Sequence, residues 1–145
     1  MTKPICIYHG NCADGFTAAW VVYNFFAGEV DLYAGAYQKD PPDVAGRDVI
    51  MVDFSYKRPV IEAMSTKANS ILILDHHKSA EQDLADIDLP NVGVVFDMER
   101  SGARIAHDYC FPNDEPPTLL LHIEDRDLWR FKLPGTREIQ AALFS

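Results

Sequence analysis

The chain has 145 residues, 48% of them hydrophobic, which is enough apolar material for one domain with a sizeable core and too little length for two. Its formal charge of −9 argues against a protein that grips long duplex nucleic acid through the phosphates, because that needs clustered Lys and Arg; an excess of carboxylates suits a cation site instead. Cys6, Cys12 and Cys110 are odd in number and lack paired spacing, so a reducing, cytoplasmic location is expected rather than a disulfide framework, and no apolar run has the form of a signal peptide or of a membrane span.

In chain order, residues 5–8 form a short apolar run that predicts a strand, and the loop 9–15, His-Gly-Asn-Cys-Ala-Asp-Gly, follows it. The apolar segment 16–26 is too long for a strand and predicts a buried helix, with Asp14 at or beside its N-cap. Residues 31–37 predict a second strand and residues 49–52 a third. Pro59 suits the first turn of a helix that runs on through residues 60–67. Residues 70–74 are the most strand-like stretch, a polar acidic segment covers residues 81–88, and residues 92–96 predict a further strand. Ser101 and Gly102 open a helix to about Tyr109. A last apolar segment from Thr118 runs into Glu124-Asp125-Arg126-Asp127, and residues 138–144 read as a helix-like end.

Strands alternating with helices predict an α/β, doubly wound fold: a mainly parallel sheet of about five strands with helices on both faces. Such sheets bind ligands at the carboxyl ends of their strands. There the sequence puts His9 after the first strand, Asp53 after Ile50-Met51-Val52, and Asp75-His76-His77 after Ile71-Leu72-Ile73-Leu74. With Asp14 and Asp125 these residues form an oxygen and nitrogen donor set, suited to Mn²⁺ or Mg²⁺ rather than to structural Zn²⁺. A carboxylate on a middle strand can bridge two such ions, which would deprotonate a shared water and brace a phosphoryl group. His77, which must point away from its neighbour His76, suits donation to a phosphate oxygen or to the leaving group.

These residues resemble the DHH phosphoesterase superfamily, whose triplet is here Asp75-His76-His77. The likeness comprises four ordered motifs: His9-Gly10-Asn11-Cys12-Ala13-Asp14-Gly15, Asp53 after its strand, Asp75-His76-His77, and Glu124-Asp125-Arg126-Asp127. It spans essentially the whole chain. The resemblance implies that His9, Asp14, Asp53, His76 and Asp125 bind two metal ions, usually Mn²⁺, with Asp53 bridging, while His77, together with Asp75, serves catalysis at the scissile phosphate. In motif one the chain is similar to the oligoribonuclease and exopolyphosphatase-like branch. It departs from the family at Cys12, where many members carry aspartate, which leaves Asn11, Cys12 or water as candidates to complete the first site, with Asp127 as a further candidate ligand. The family's C-terminal domain, which grips the substrate, is not recognisable after Trp129.

The expected function is therefore hydrolysis of short oligonucleotides, nucleotide phosphodiesters or polyphosphate by a two-metal-activated hydroxide. Its partners are a small phosphorylated substrate or short single-stranded nucleic acid, with no long duplex and no membrane, and a homodimer or a missing domain would complete the cleft. The alternative is a non-catalytic metal- or nucleotide-binding module, or half of such an enzyme. Asp125 is preferred to Asp127 for the fourth motif, since the two must face different ways. His107 and His122 lie in apolar segments and are expected to be structural. Ser101-Gly102-Ala103 is expected to be a helix cap, Trp20, Tyr23, Phe25, Phe26 and Trp129 core, and Lys78, Arg100, Arg104 and Arg126 solvated surface.

Overall fold

The computed structural model of the protein describes residues 2–133 together with 135 and 136; the stretch 138–144 lies outside them. The chain runs β1 (Ile5–His9), α1 (Ala13–Phe25), β2 (Asp31–Gly35), β3 (Asp48–Val52), α2 (Arg58–Ser65), β4 (Ser70–Asp75), α3 (Lys78–Asp83), β5 (Val92–Phe96), α4 (Gly102–Cys110) and α5 (Thr118–Asp127). The five strands form one sheet in the order β2-β1-β3-β4-β5, and every pairing is parallel. The fold is α/β and doubly wound, as the alternation of elements predicts.

Strand alternation sends successive side chains to opposite faces, so the central strands feed two cores. Ile5, Ile7, Val49, Met51, Ile71 and Ile73 pack with Ile61 and Met64 of α2 and with Leu84 beyond α3. Cys6, Val52 and Leu74 pack on the other face with Ala18, Val21 and Val22 of α1, Ile105 of α4 and Leu120 of α5. Ile7, Met51 and Ile73 are fully buried, each contributing about 1.5–3 kcal/mol by leaving water. The chain leaves β1 toward β2 on one side and returns past it to β3 on the other. The switch point therefore falls between β1 and β3, where a ligand crevice opens in such sheets.

Several expectations change. β2 stops at Gly35, whose carbonyl accepts from the Gly10 amide at 3.1 Å, and this bond ties the loop after β1 to the end of β2. α1 starts at Ala13, earlier than the apolar run, because the extended backbone of Cys12 ends the loop there. The acidic segment contains the short helix α3, which buries none of its residues and so leaves no apolar period to read. Four aromatics expected in the core are open to solvent: Trp20, Tyr23, Phe25 and Trp129. α1 is apolar on all sides, and only its face bearing Ala18, Val21 and Val22 meets the sheet, so Phe16, Trp20 and Tyr23 form an exposed stripe at helical spacing. Phe26 alone of the five packs against the core.

Candidate metal centre

The carboxyl ends of β1, β3 and β4, with the starts of α1 and α4 and the end of α5, converge on Asp53. This residue follows the last pair of β3, and its amide still donates to the Leu74 carbonyl at 3.0 Å. Its backbone then turns left-handed, at φ 56°, a conformation that costs an L-residue about 1–2 kcal/mol. The carboxylate is 1% exposed. Two glycines allow this close assembly. A Cβ on Gly102 would lie 2.5 Å from the Asp53 Cβ, and one on Gly15 would lie 2.3 Å from the His9 carbonyl oxygen. Only the lack of a side chain lets α4 and α1 come so near the strand ends.

The two oxygens of Asp53 face different donors. Oδ2 lies 3.5 Å from Cys12 Sγ and 3.7 Å from His9 Nδ1. Oδ1 lies 2.9 Å from His76 Nε2, and the same nitrogen is 3.4 Å from Asp14 Oδ2 and 3.6 Å from Asp127 Oδ2. Donor atoms of His9, Cys12 and Asp53 lie within 4.8 Å of one another, as do those of Asp14, His76 and Asp127. Asp75, fully buried at the end of β4, accepts from the His76 amide at 2.8 Å and binds His77 Nδ1 at 2.7 Å through the same Oδ1. It thereby fixes the His77 ring, leaving Nε2 as that ring's other nitrogen. The rings of His76 and His77 stand 4.6 Å apart between centroids.

Asp14 does not cap its own helix. Its Oδ2 and Oδ1 accept from the amides of Gly102 and Ala103, at 2.9 and 2.8 Å, so it satisfies the first turn of α4, where a helix favours negative charge. The Ser101 hydroxyl accepts from the Arg104 amide at 3.1 Å, the cap expected there, and Glu124 takes the Ser101 amide at 3.1 Å. The preference for Asp125 over Asp127 is corrected. Asp125 accepts from the amides of Lys132 and Leu133 at 2.8 and 2.9 Å and from the Thr136 hydroxyl at 2.7 Å, so it holds the turn after α5. Asp127, two residues further on the helix, faces the opposite way and joins the cluster. Asn11 is exposed and turns the loop at φ 56°, a conformation asparagine tolerates.

His122 Nδ1 meets the Thr136 hydroxyl at 2.6 Å, and His107 is buried in α4 beside Asp108, so both are structural as expected. Arg100 and Arg104 are tied to Asp108 rather than merely solvated, at 3.1 and 3.2 Å. Tyr37, not singled out from the sequence, stands over the cluster: its ring is 6.0 Å from that of His9 and 5.0 Å from that of Phe54. Burial and the charges of Asp75 and Asp53 raise its hydroxyl above its ordinary pKa. The sequence runs it into the second predicted strand, whereas β2 stops at Gly35 and Tyr37 lies in the loop beyond, so only the fold reveals its place over the cluster.

Crowding of like charges alters ionisation throughout the cluster. Burial, with the charges of Asp53 and Asp127 added, pushes the Asp14 carboxyl well above the usual carboxylate range. Asp127 is raised by burial, with His76 opposing and Asp53 adding to the rise. For Asp53 the burial effect is outweighed by the His76 hydrogen bond and the His9 imidazole, and its pKa falls. Burial would lower His76, yet its bond to Asp53 and the charges of Asp14, Asp53 and Asp127 raise it to about 9. The bond to Asp75 raises His77. Burial pushes the Cys12 thiol up to about 11, with the Gly15 amide opposing and Asp53 and Asp14 adding to the rise.

The residues fit divalent cations. Several carboxylates share one buried volume, which is unfavourable without positive charge. Buried His9 Nδ1 and Asp75 Oδ2 have no hydrogen-bond partner among the described residues.

No family model matches the chain. It is 36% identical over 150 residues to an uncharacterized protein of Acanthamoeba polyphaga mimivirus, in an alignment covering 92% of this chain and 35% of that protein. The chain thus spans about a third of the length of the viral relative it matches.

Proposed function

We propose that this chain is the metal-bearing domain of a divalent-metal-dependent phosphoesterase of the DHH type. The observation that carries the reading is the bridging disposition of Asp53, one oxygen toward His9 and Cys12 and the other toward His76 beside Asp14 and Asp127. When bound, a pair of cations, Mn²⁺ first among the candidates, would supply an activated water near neutral pH and charge to brace a phosphoryl group. His9, Cys12, Asp53, Asp14, His76 and Asp127 are the residues to hold them. His77, its Nδ1 engaged by Asp75 and its pKa raised, is suited to meet a phosphoryl oxygen with Nε2 as a cation or a proton donor. Asp75 works through His77 and the His76 amide rather than on the substrate.

Short oligonucleotides and nucleotide phosphodiesters suit the site better than polyphosphate. A groove of about 630 Å³, lined by Cys12, Phe16, Trp20, Leu119 and Ile123, begins at the cluster, and its apolar walls match a nucleobase. Among the described residues no helix is long and apolar enough to cross a membrane. Three unpaired cysteines favour the reducing cytoplasm as the place of action. The second reading, a metal- or nucleotide-binding module without turnover, is favoured by one observation, the thiol of Cys12 in place of a carboxylate.

The test is Mn²⁺-dependent hydrolysis of bis-p-nitrophenyl phosphate, a dinucleotide, adenosine 3′,5′-bisphosphate and polyphosphate. Turnover lost in both His77→Ala and Asp75→Ala, with cation binding retained in His77→Ala, supports the enzyme. Stoichiometric cation binding with no turnover on any substrate supports the module instead.

A further inference from the structure

We infer that the β1 side of Asp53 is a site for a thiophilic, borderline divalent cation of the Zn²⁺, Co²⁺ or Fe²⁺ class, held by Cys12 Sγ, His9 Nδ1 and Asp53 Oδ2. The cluster is then a mixed-metal centre. This rests on the reading that cations occupy the cluster, and it adds that the two places differ in chemistry. Asp14, His76 and Asp127 present two carboxylates and one imidazole, the donors of hard ions. Cys12, His9 and Asp53 present one sulfur, one nitrogen and one oxygen, and sulfur selects softer ions.

Two of the three donor separations lie near those of tetrahedral coordination, and the Cys12 thiol already hydrogen-bonds Asp53 Oδ2 there. Zn–S, Zn–N and Zn–O bonds of about 2.3, 2.0 and 2.0 Å at tetrahedral angles separate sulfur from oxygen by about 3.5 Å and nitrogen from oxygen by about 3.3 Å. The corresponding separations here are 3.5 Å between Cys12 Sγ and Asp53 Oδ2 and 3.7 Å between His9 Nδ1 and Asp53 Oδ2. Octahedral Mg²⁺, with bonds of about 2.1 Å at right angles, would draw adjacent donors to about 3.0 Å. His9 Nδ1 is buried without a hydrogen-bond partner among the described residues, so this nitrogen is not committed elsewhere. Three protein donors leave a fourth tetrahedral position for water or substrate, as in catalytic zinc sites. As the Sγ–metal bond forms, the thiol proton passes to solvent.

The test uses the whole chain, metal-stripped and reloaded. With Co²⁺ alone, a thiolate-to-cobalt charge-transfer band is expected in the near ultraviolet, lost in Cys12→Ser and kept in Cys110→Ser. From an equimolar mixture of Zn²⁺ and Mn²⁺, elemental analysis after desalting should find one zinc retained per chain, and Cys12→Asp should shift the zinc-to-manganese ratio toward manganese by at least about tenfold. Circular dichroism confirms that each variant is folded. Two Co²⁺ bound per chain without the band would overturn this inference and leave the proposed phosphoesterase standing. No cation bound at all would overturn both.

Discussion

At the amino ends of the strands, Arg47 pairs with Asp31 and donates to the Lys3 carbonyl at 3.0 Å, while Asp48 accepts from Asn69 and Ser70 at 2.6 and 2.7 Å. Hydrogen bonds from Ser70, then Asn69, lower the Asp48 pKa. At the carboxyl ends, Asp14, Asp53 and Asp127 crowd around His76, and burial raises two of the three. The same residue type thus serves opposite ends of one sheet. Where aspartates are separated and partnered they hold strands in register, and where they are concentrated and buried they store repulsion that a ligand can relieve. Such local conflict makes the carboxyl ends of the strands the place to look for a functional site.

Removing the bridging carboxylate breaks this contrast most severely. Asp53→Asn retains a residue that tolerates the left-handed backbone, yet it should lower metal-dependent hydrolysis by about 10³-fold or more. The same variant should lower the melting temperature of the metal-free protein, because the carboxylate charge that His76 and His9 hold in the folded state is gone; calorimetry and a phosphodiesterase assay read the two effects. Next is the pH dependence of cation affinity. His76, raised to about 9 without a cation, must shed a proton to bind one, so affinity should climb about tenfold per pH unit from neutral to that value. The stability that protonated His76 lends the metal-free fold has the opposite trend and is lost as pH rises through about 9. Calorimetric titration at three pH values checks the slope, and a flat profile would remove His76 from the ligand set.

Gly102→Ala should cost about 2 kcal/mol of stability and reduce turnover, since the added methyl must displace Asp53. Gly93→Ala in β5 meets only Leu72, at 3.7 Å, and should change neither. The smallest effect is expected at the other end of the sheet: Arg47→Ala should cost about 0.5–1 kcal/mol, discounted because Asp31 is half exposed, with turnover unchanged. If Arg47→Ala lowered hydrolysis as much as Gly102→Ala does, the two ends would not be separable.

Much of this arrangement was legible in the sequence, for physical reasons. A buried parallel strand needs a continuous apolar run, so residues 49–52 and 70–74 announce themselves, and the polar residue ending each run falls at the ligand edge. Helix ends were harder. Asp125 and Asp127 are both carboxylates on one turn, and which faces the cluster depends on the turn after α5, held by Thr136. The partner of Asp14 could not be read locally, since the amides it satisfies belong to α4. The aromatic stripe of α1 was misread because an all-apolar helix looks buried on every side, whereas this one has a single covered face.

Asp14 has one more consequence. Two backbone amides, those of Gly102 and Ala103, depend on the charge of a side chain 88 and 89 residues away in sequence. Protonating that carboxyl weakens both bonds and exposes the first turn of α4 to solvent. The hydrogen–deuterium exchange rates of these two amides therefore read the ionisation of Asp14 from outside the cluster, with no substrate present and no probe attached.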